Sequence, residues 1–339
     1  MIEKLFRNDV SLRRYRKFKK QKRSVISFWL LMICVFFSFT AEIWSNSKPL
    51  YLSFGGRSYF PVFVFYHPSE LGINDRMTMD YRGLELKSGE FAFWPINRWD
   101  PFESNKLVAK YPSPPAHENI FGTDDRGRDI FARLLYGFRY SFIYAVIVWM
   151  LTVTFAISIG GVMGYSGGWV DLIGQRAIEV LSTIPILFLL IILVSIFDPT
   201  LWMLIVLTSS FSWIGLSYYV RGEFLKNRKM DFVEAARSIG GKPARLIFKH
   251  ILPNSLIPVI TFSPFIISSQ ILGLAALDYL GFGLRPPTPS WGELLNQAQK
   301  TFTIAWWLAV FPGAALIITL NLFTFVGDGV RNAVDPKKG

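Results

Sequence analysis

Residues Met230 to Asn254 read MDFVEAARSIGGKPARLIFKHILPN, a pattern that specifies two short helices joined by a tight turn. Asp231 is placed to cap the first helix. Glu234, three residues on, can reach back to the cap, giving a capping box with aspartate in the cap position. Ala235 and Ala236 are strong helix formers whose small side chains let another protein's surface approach the backbone closely. Gly240 ends the helix, because a left-handed terminal residue costs least as glycine. Pro243 suits the first turn of a second helix, and Pro253 is expected to stop it. The expectation is a compact, stiff knob; the bland alternative is an ordinary basic loop.

Outward from the knob the chain is segmented into apolar runs. It is 51% hydrophobic and 18% charged over 339 residues, whereas a soluble domain carries about a quarter charged residues. Runs lie at 25–45, 140–163, 177–197, 201–220, 255–277 and 304–326. The first would be roughly 30 Å long as a helix, enough to cross the hydrocarbon core. It is longer than a secretory h-region and lacks a small-x-small cleavage site, so it reads as an uncleaved anchor. Residues 1–24 carry ten Lys/Arg, among them Lys4, Arg7, Arg13, Arg14 and Arg23, against Glu3 and Asp9. The positive-inside rule places this end in the cytoplasm. Segment 221–250 holds eight Lys/Arg against three acids, whereas 278–303 holds only Arg285 and Lys300. Six spans return the C-terminus, with Arg331, Lys337 and Lys338, to the cytoplasm.

The expected fold is therefore an all-α polytopic membrane protein of the bacterial inner membrane. Its parts are a basic cytoplasmic segment 1–24, span one at 25–45, an extracytoplasmic insertion and connector at 46–139, a core at 140–326 and a cytoplasmic tail at 327–339. The core holds spans two to six and the cytoplasmic loop 221–254. The insertion has twelve Lys/Arg and eleven acids; long translocated segments escape the charge rule. Alternation over Tyr59–Tyr66 and the Gly55-Gly56 turn signal predict short strands, hence a small α+β unit. Tyr111-Pro112-Ser113-Pro114-Pro115 reads as a stiff connector.

The net charge of +12 sits beside apolar spans, which favours a membrane surface over nucleic acid. Cys34, alone in an apolar run, excludes a disulfide framework or thiolate cluster. His117-Glu118 starts like a zincin motif, but Phe121 stands where the second ligand belongs. No catalytic residue and no metal or cofactor ligand is expected. Gly160 and Gly164 form a small-xxx-small pair, Pro185, Pro258, Pro264 and Pro312 permit kinks, and Gln270 and Asn321 suit interhelical hydrogen bonds. Asp171, Arg176 and Glu179 read as interfacial anchors. Asp124, Asp125 and Asp129 read as a structural turn, since no nucleophile or histidine accompanies them. Ionisable groups at mid-bilayer, which an ion-gradient-driven secondary transporter or channel would need, are missing from the span centres.

The spacing of Glu234-Ala235-Ala236, Gly240 and His250-Ile251-Leu252-Pro253-Asn254 resembles the EAA loop of binding-protein-dependent ABC importer permeases. Phe121-Gly122-Thr123-Asp124 with Gly127-Arg128-Asp129, Gly164-Tyr165-Ser166-Gly167-Gly168-Trp169, Pro286-Pro287-Thr288-Pro289-Ser290-Trp291-Gly292 and Gly327-Asp328-Gly329-Val330-Arg331-Asn332 are similar to signatures of the peptide-permease C-type branch. Leu277-Asp278-Tyr279-Leu280-Gly281-Phe282-Gly283 departs from the usual LSFLGLG, and that variant is similar to Yej-type subunits. The resemblance implies the type I ABC importer permease fold and import of oligopeptides or the peptide-nucleotide microcin C. It implies that Glu234, Ala235, Ala236, Gly240, His250, Leu252 and Pro253 form a mechanical coupling element and carry no catalysis. It further implies a second, B-type permease chain, an ATPase with two nucleotide-binding domains and an extracytoplasmic peptide-binding protein. ATP and magnesium would sit on that ATPase, because Gly241-Lys242 lacks both the upstream glycine and the following Ser/Thr of a phosphate loop.

Overall fold

The computed structural model describes residues 9–73 and 79–334. Glu3, Lys4, Arg7, Asp335, Pro336, Lys337 and Lys338 therefore lie outside the described residues. Helices dominate. Among the described residues five are long and apolar enough to span a membrane: α2 (Lys22–Phe39), α4 (Ile130–Ser166), α7 (Leu201–Asn227), α11 (Ile257–Tyr279) and α13 (Trp307–Val334). A further apolar pair, α5 (Gly168–Ser182) and α6 (Ile186–Ile196), passes the same test only when taken together and is bent by 64°. Pro185 sits at the break as the cap of α6; it lacks an N–H to continue the ladder. The expected third span at 177–197 is thus two shorter helices.

Helix α4 begins ten residues before the apolar run that announced it. Asp129 accepts a hydrogen bond from the Ala132 N–H at 2.8 Å and caps the helix there. At the other end of the chain α13 runs through Val334, so most of the expected tail is helical. The short α3 (Ala41–Trp44) follows α2, and further helices lie outside the expected spans. α1 (Asp9–Lys20) packs on α13, and α12 (Trp291–Thr301) starts at Ser290, whose hydroxyl accepts from Glu293 N–H at 3.3 Å.

Gly160 and Gly164 make a close contact between α4 and α7. A Cβ on Gly160 would stand 2.6 Å from the Ser217 carbonyl oxygen, and one on Gly164 2.6 Å from the Arg221 oxygen. Glycine at this spacing lets α4 and α7 touch backbone to backbone.

Contacts sort the loops into two ends. At one, Gln21 donates to the Gly329 carbonyl at 3.2 Å, Arg228 to the Tyr165 carbonyl at 2.8 Å, and Arg221 forks onto Asp171 at 2.5 and 2.6 Å. At the other, Arg128 pairs with Glu293 at 3.0 Å, Arg285 with Asp198 at 2.6 Å, and Trp307 Nε1 donates to the Thr123 carbonyl at 3.1 Å.

In the insertion, β1 (Tyr51–Phe54) pairs antiparallel with β2 (Arg57–Tyr59) and, on its other side, β3 (Phe91–Phe93). Gly55 and Gly56, at φ +57° and +73°, close the first hairpin. Leu52, Tyr59, Leu71 and Tyr81 form its small core. The expected strand over Tyr59–Tyr66 stops at Tyr59, because Pro61 cannot donate to a ladder.

The carboxylates of Asp124 and Asp129 each have a structural task. Asp124 accepts from the Arg126 and Arg128 N–H groups at 2.9 Å and from Arg128 Nε at 2.6 Å. Burial alone would lower the Arg128 pKa, but Asp124 and Glu293 raise it above its ordinary value. Burial pushes the Asp129 carboxyl up, against the hydrogen bonds of Asn119, Ala132 and Asn97 that favour its charged form. Glu293 also pairs with the fully buried Arg133, which joins α12 to α4.

Candidate functional site

The knob forms between α7 and α11, as α8 (Asp231–Ser238), α9 (Pro243–Arg245), a π-helical turn (Leu246–Ile251) and α10 (Leu252–Ser255). Its neck is closed by Asn227 Nδ2 donating to Ser255 Oγ at 3.0 Å. Val233, Leu246 and Ile251 are fully buried and join one apolar cluster with Met163 of α4 and Val220 and Phe224 of α7. The knob is therefore seated on α4 and α7, the two most closely packed helices of the core.

Gly240 terminates α8 with φ +83°. Its N–H donates to the Arg237 carbonyl at 3.0 Å, and the Gly241 N–H to the Ala236 carbonyl at 3.0 Å. This pair of bonds is the Schellman arrangement. The capping box is not formed. Met230 occupies the cap position in an extended conformation, and no side chain caps α8. Asp231 is already the first helical residue, so Asp231 and Glu234 act only as first-turn anions that complement the helix dipole.

Pro243 opens α9 as expected, but Pro253 does not end the helical run. The π turn directly before it widens the helix and relieves the clash that a proline ring makes with the preceding turn. The chain continues through α10 into α11, with a local break at Leu256.

Glu234, Ala235, Gly240 and Pro253 are exposed, and Ala236, His250 and Leu252 half-buried. A cavity of about 320 Å³ opens on the knob, with Ala236 and Gly241 in its lining together with Lys242, Arg245 and His250. Glu234 and Pro253 lie outside it. Three further residues belong to the site. Gly241 is irreplaceable sterically, since a Cβ there would meet the Ala236 carbonyl oxygen at 2.5 Å. Ile239 and Phe248, 84% and 68% exposed, present apolar surface at the tip. The Gly240-Gly241 pair carried the signal for the first. An isoleucine directly before a left-handed glycine carried it for the second, because its side chain has left the helix's buried face. The arrangement can hold an apolar side chain of another protein within a basic rim. It offers no nucleophile with an adjacent base.

Five membrane-length apolar helices, with an exposed helical elbow between two of them, define a multi-pass membrane protein. Residues 156–339 match the family model described as the binding-protein-dependent transport system inner membrane component, and the chain belongs to that family. It is 37% identical over 336 residues, 98% of each chain, to the inner membrane ABC transporter permease protein YejE of Escherichia coli (strain K12). It is 35% identical to the peptidoglycan transport system permease protein YejE of Agrobacterium fabrum, over 96% of this chain and 93% of that one. With the oligopeptide transport system permease protein OppC of Haemophilus influenzae it shares 36% identity over 65% of this chain and 70% of the relative. The inward-facing MetNI methionine ABC transporter superposes with a TM-score of 0.47 at 16% identity, covering 60% of this chain and 96% of that chain.

Proposed function

We propose that this chain is the permease subunit of an ATP-driven importer of oligopeptides and peptide conjugates of the microcin C kind. The elbow at 231–253 faces the cytoplasm and docks on an ATP-hydrolysing partner with two nucleotide-binding domains. A second permease chain completes the passage, and an extracytoplasmic binding protein delivers peptide to the opposite face. Closure of the ATPase moves the elbow, the elbow tilts α4 and α7 through their shared apolar cluster, and the passage switches from outward-open to inward-open. Both termini are cytoplasmic in this reading.

The observation that carries it is the elbow itself. A Schellman-terminated helix presents Ile239 and a basic-rimmed cavity outward, while Val233, Leu246 and Ile251 anchor it to the core. Names of relatives support the substrate class, since they include oligopeptide and peptidoglycan transport systems. The test is uptake into proteoliposomes holding the whole assembly, with an oligopeptide, a peptide-nucleotide conjugate and a peptidoglycan-derived peptide as cargo. Uptake of peptides that requires ATP and is lost in Gly240→Pro, with ATP hydrolysis no longer stimulated by peptide, is expected. Unchanged uptake and unchanged stimulation in that variant would refute the coupling role.

A further inference from the structure

The insertion between the first two spans encloses a cavity of about 660 Å³, inside the roughly 300–1,000 Å³ range of small-ligand sites. Three stretches that are apart in sequence, 81–86, 92–99 and 107–120, supply its lining. Tyr81 and Trp99 are buried in it and Trp94 is half-buried, which gives it an aromatic wall. Leu86, Ile96 and Leu107 also line it and keep 42%, 78% and 75% of their surface in water. Large apolar side chains held open to solvent around a concave site favour a ligand with apolar parts of its own.

The polar groups of the cavity are not equivalent. The Arg82 guanidinium stacks on Trp99 at 3.8 Å, and its charge is neutralised by the ion pair with Glu103. Arg98 lies over Trp94 at 5.3 Å and is exposed, and among the described residues no carboxylate pairs with it. A guanidinium held against an aromatic face keeps its fork free for a carboxylate. Glu118 lines the same cavity and disfavours polyanions. Asn97, also in the lining, donates to Asp129, the cap of α4, at 2.8 Å. The cavity is thus joined to the helix that bears on the elbow.

We propose that this cavity binds a short peptide that has an apolar side chain and a free C-terminal carboxylate, the side chain on the aromatic wall and the carboxylate on Arg98. The proposal rests on the peptide-import reading and adds to it a first substrate site outside the membrane.

The test uses the assembly purified with its partner subunits in nanodiscs, without the extracytoplasmic binding protein. Calorimetry compares a tripeptide of two leucines and a phenylalanine with its C-terminal amide. The free acid binds, and the amide binds at least about tenfold more weakly. Arg98→Gln loses the same factor for the acid and leaves the amide unchanged. Arg285→Gln, an exposed cation outside this cavity, binds as the wild type does. Equal binding of acid and amide, no change in Arg98→Gln, or peptide binding that requires the binding protein would overturn the site. Those results in an assembly that still imports peptide remove this site alone; an assembly that imports no peptide refutes the import reading.

Discussion

Adjacent glycines in the elbow fail for different physical reasons, and that difference can be measured. Gly240 has open space around its missing Cβ but sits at φ +83°. Gly240→Ala should therefore cost about 1–2 kcal/mol, the price of a left-handed L-residue. Gly240→Pro also loses the N–H that donates to Arg237 at 3.0 Å, and proline cannot reach a positive φ. Gly241 has no such conformational constraint, but its Cβ would stand 2.5 Å from the Ala236 carbonyl oxygen and 3.2 Å from Leu246 Cδ2. Because the oxygen is backbone, Gly241→Ala must break the bond it shares with Gly241 or pull Leu246 from the core. That cost is about 1–3 kcal/mol, typical of overpacking. The assay is peptide-stimulated ATP hydrolysis alongside peptide uptake in the reconstituted assembly. Gly240→Ala should retain most coupling, whereas Gly241→Ala and Gly240→Pro should hydrolyse ATP without transporting. Wild-type coupling in Gly241→Ala would refute the claim that the elbow's shape transmits the stroke.

Gly160→Leu should lower the unfolding midpoint in detergent, since its side chain enters a 2.6 Å contact with Ser217, at a cost of roughly 1–3 kcal/mol; an unchanged midpoint would remove the α4–α7 contact from the account. Glu293→Gln leaves Arg128 and Arg133 short of a counter-charge in a buried site and should destabilise by about 3–5 kcal/mol, read as the same midpoint. Burial raises the Glu42 pKa, but hydrogen bonds from Arg139 at 2.7 Å outweigh it and hold the carboxyl below its ordinary value. A depressed folded pKa means stability that is present above the unfolded value of about 4.3 and lost as pH falls through the folded one. The midpoint difference between wild type and Glu42→Gln should therefore shrink with acidification below about pH 4.3; a difference that grows would reverse the sign.

Apolar runs and basic loops made the number of crossings legible, because hydropathy and charge are local properties of the chain. Gly240 and Pro243 were legible for the same reason, since each sets its own backbone. Interruptions at crossings were less so. Pro185 marked a permitted kink, but not the 64° angle between α5 and α6. Pro253 looked like a helix stop, and only a π turn six residues long on its N-terminal side could have cancelled that expectation, a feature with no sequence signal. The start of α4 at Ile130 was hidden because Arg133 and Arg139 interrupt the apolar stretch 130–139; Arg133 is buried there because Asp124 and Glu293, 160 positions away from it, receive its charge. Asp231 failed as a cap because Met230 adopts the extended conformation first. The cavity at the elbow and the exposure of Ile239 and Phe248 depend on how two helices fold back on each other.

The central claim is that residues 231–253 project into the cytoplasm against an ATP-hydrolysing subunit. Cys34 is the chain's one cysteine and lies in α2, so Cys34→Ser with Ile239→Cys leaves a single thiol at the exposed tip. Cross-linking that thiol in membranes holding the whole assembly should yield an adduct whose mass is this chain plus the ATPase. No such adduct, together with labelling of the thiol by an impermeant reagent added outside intact cells, would contradict it.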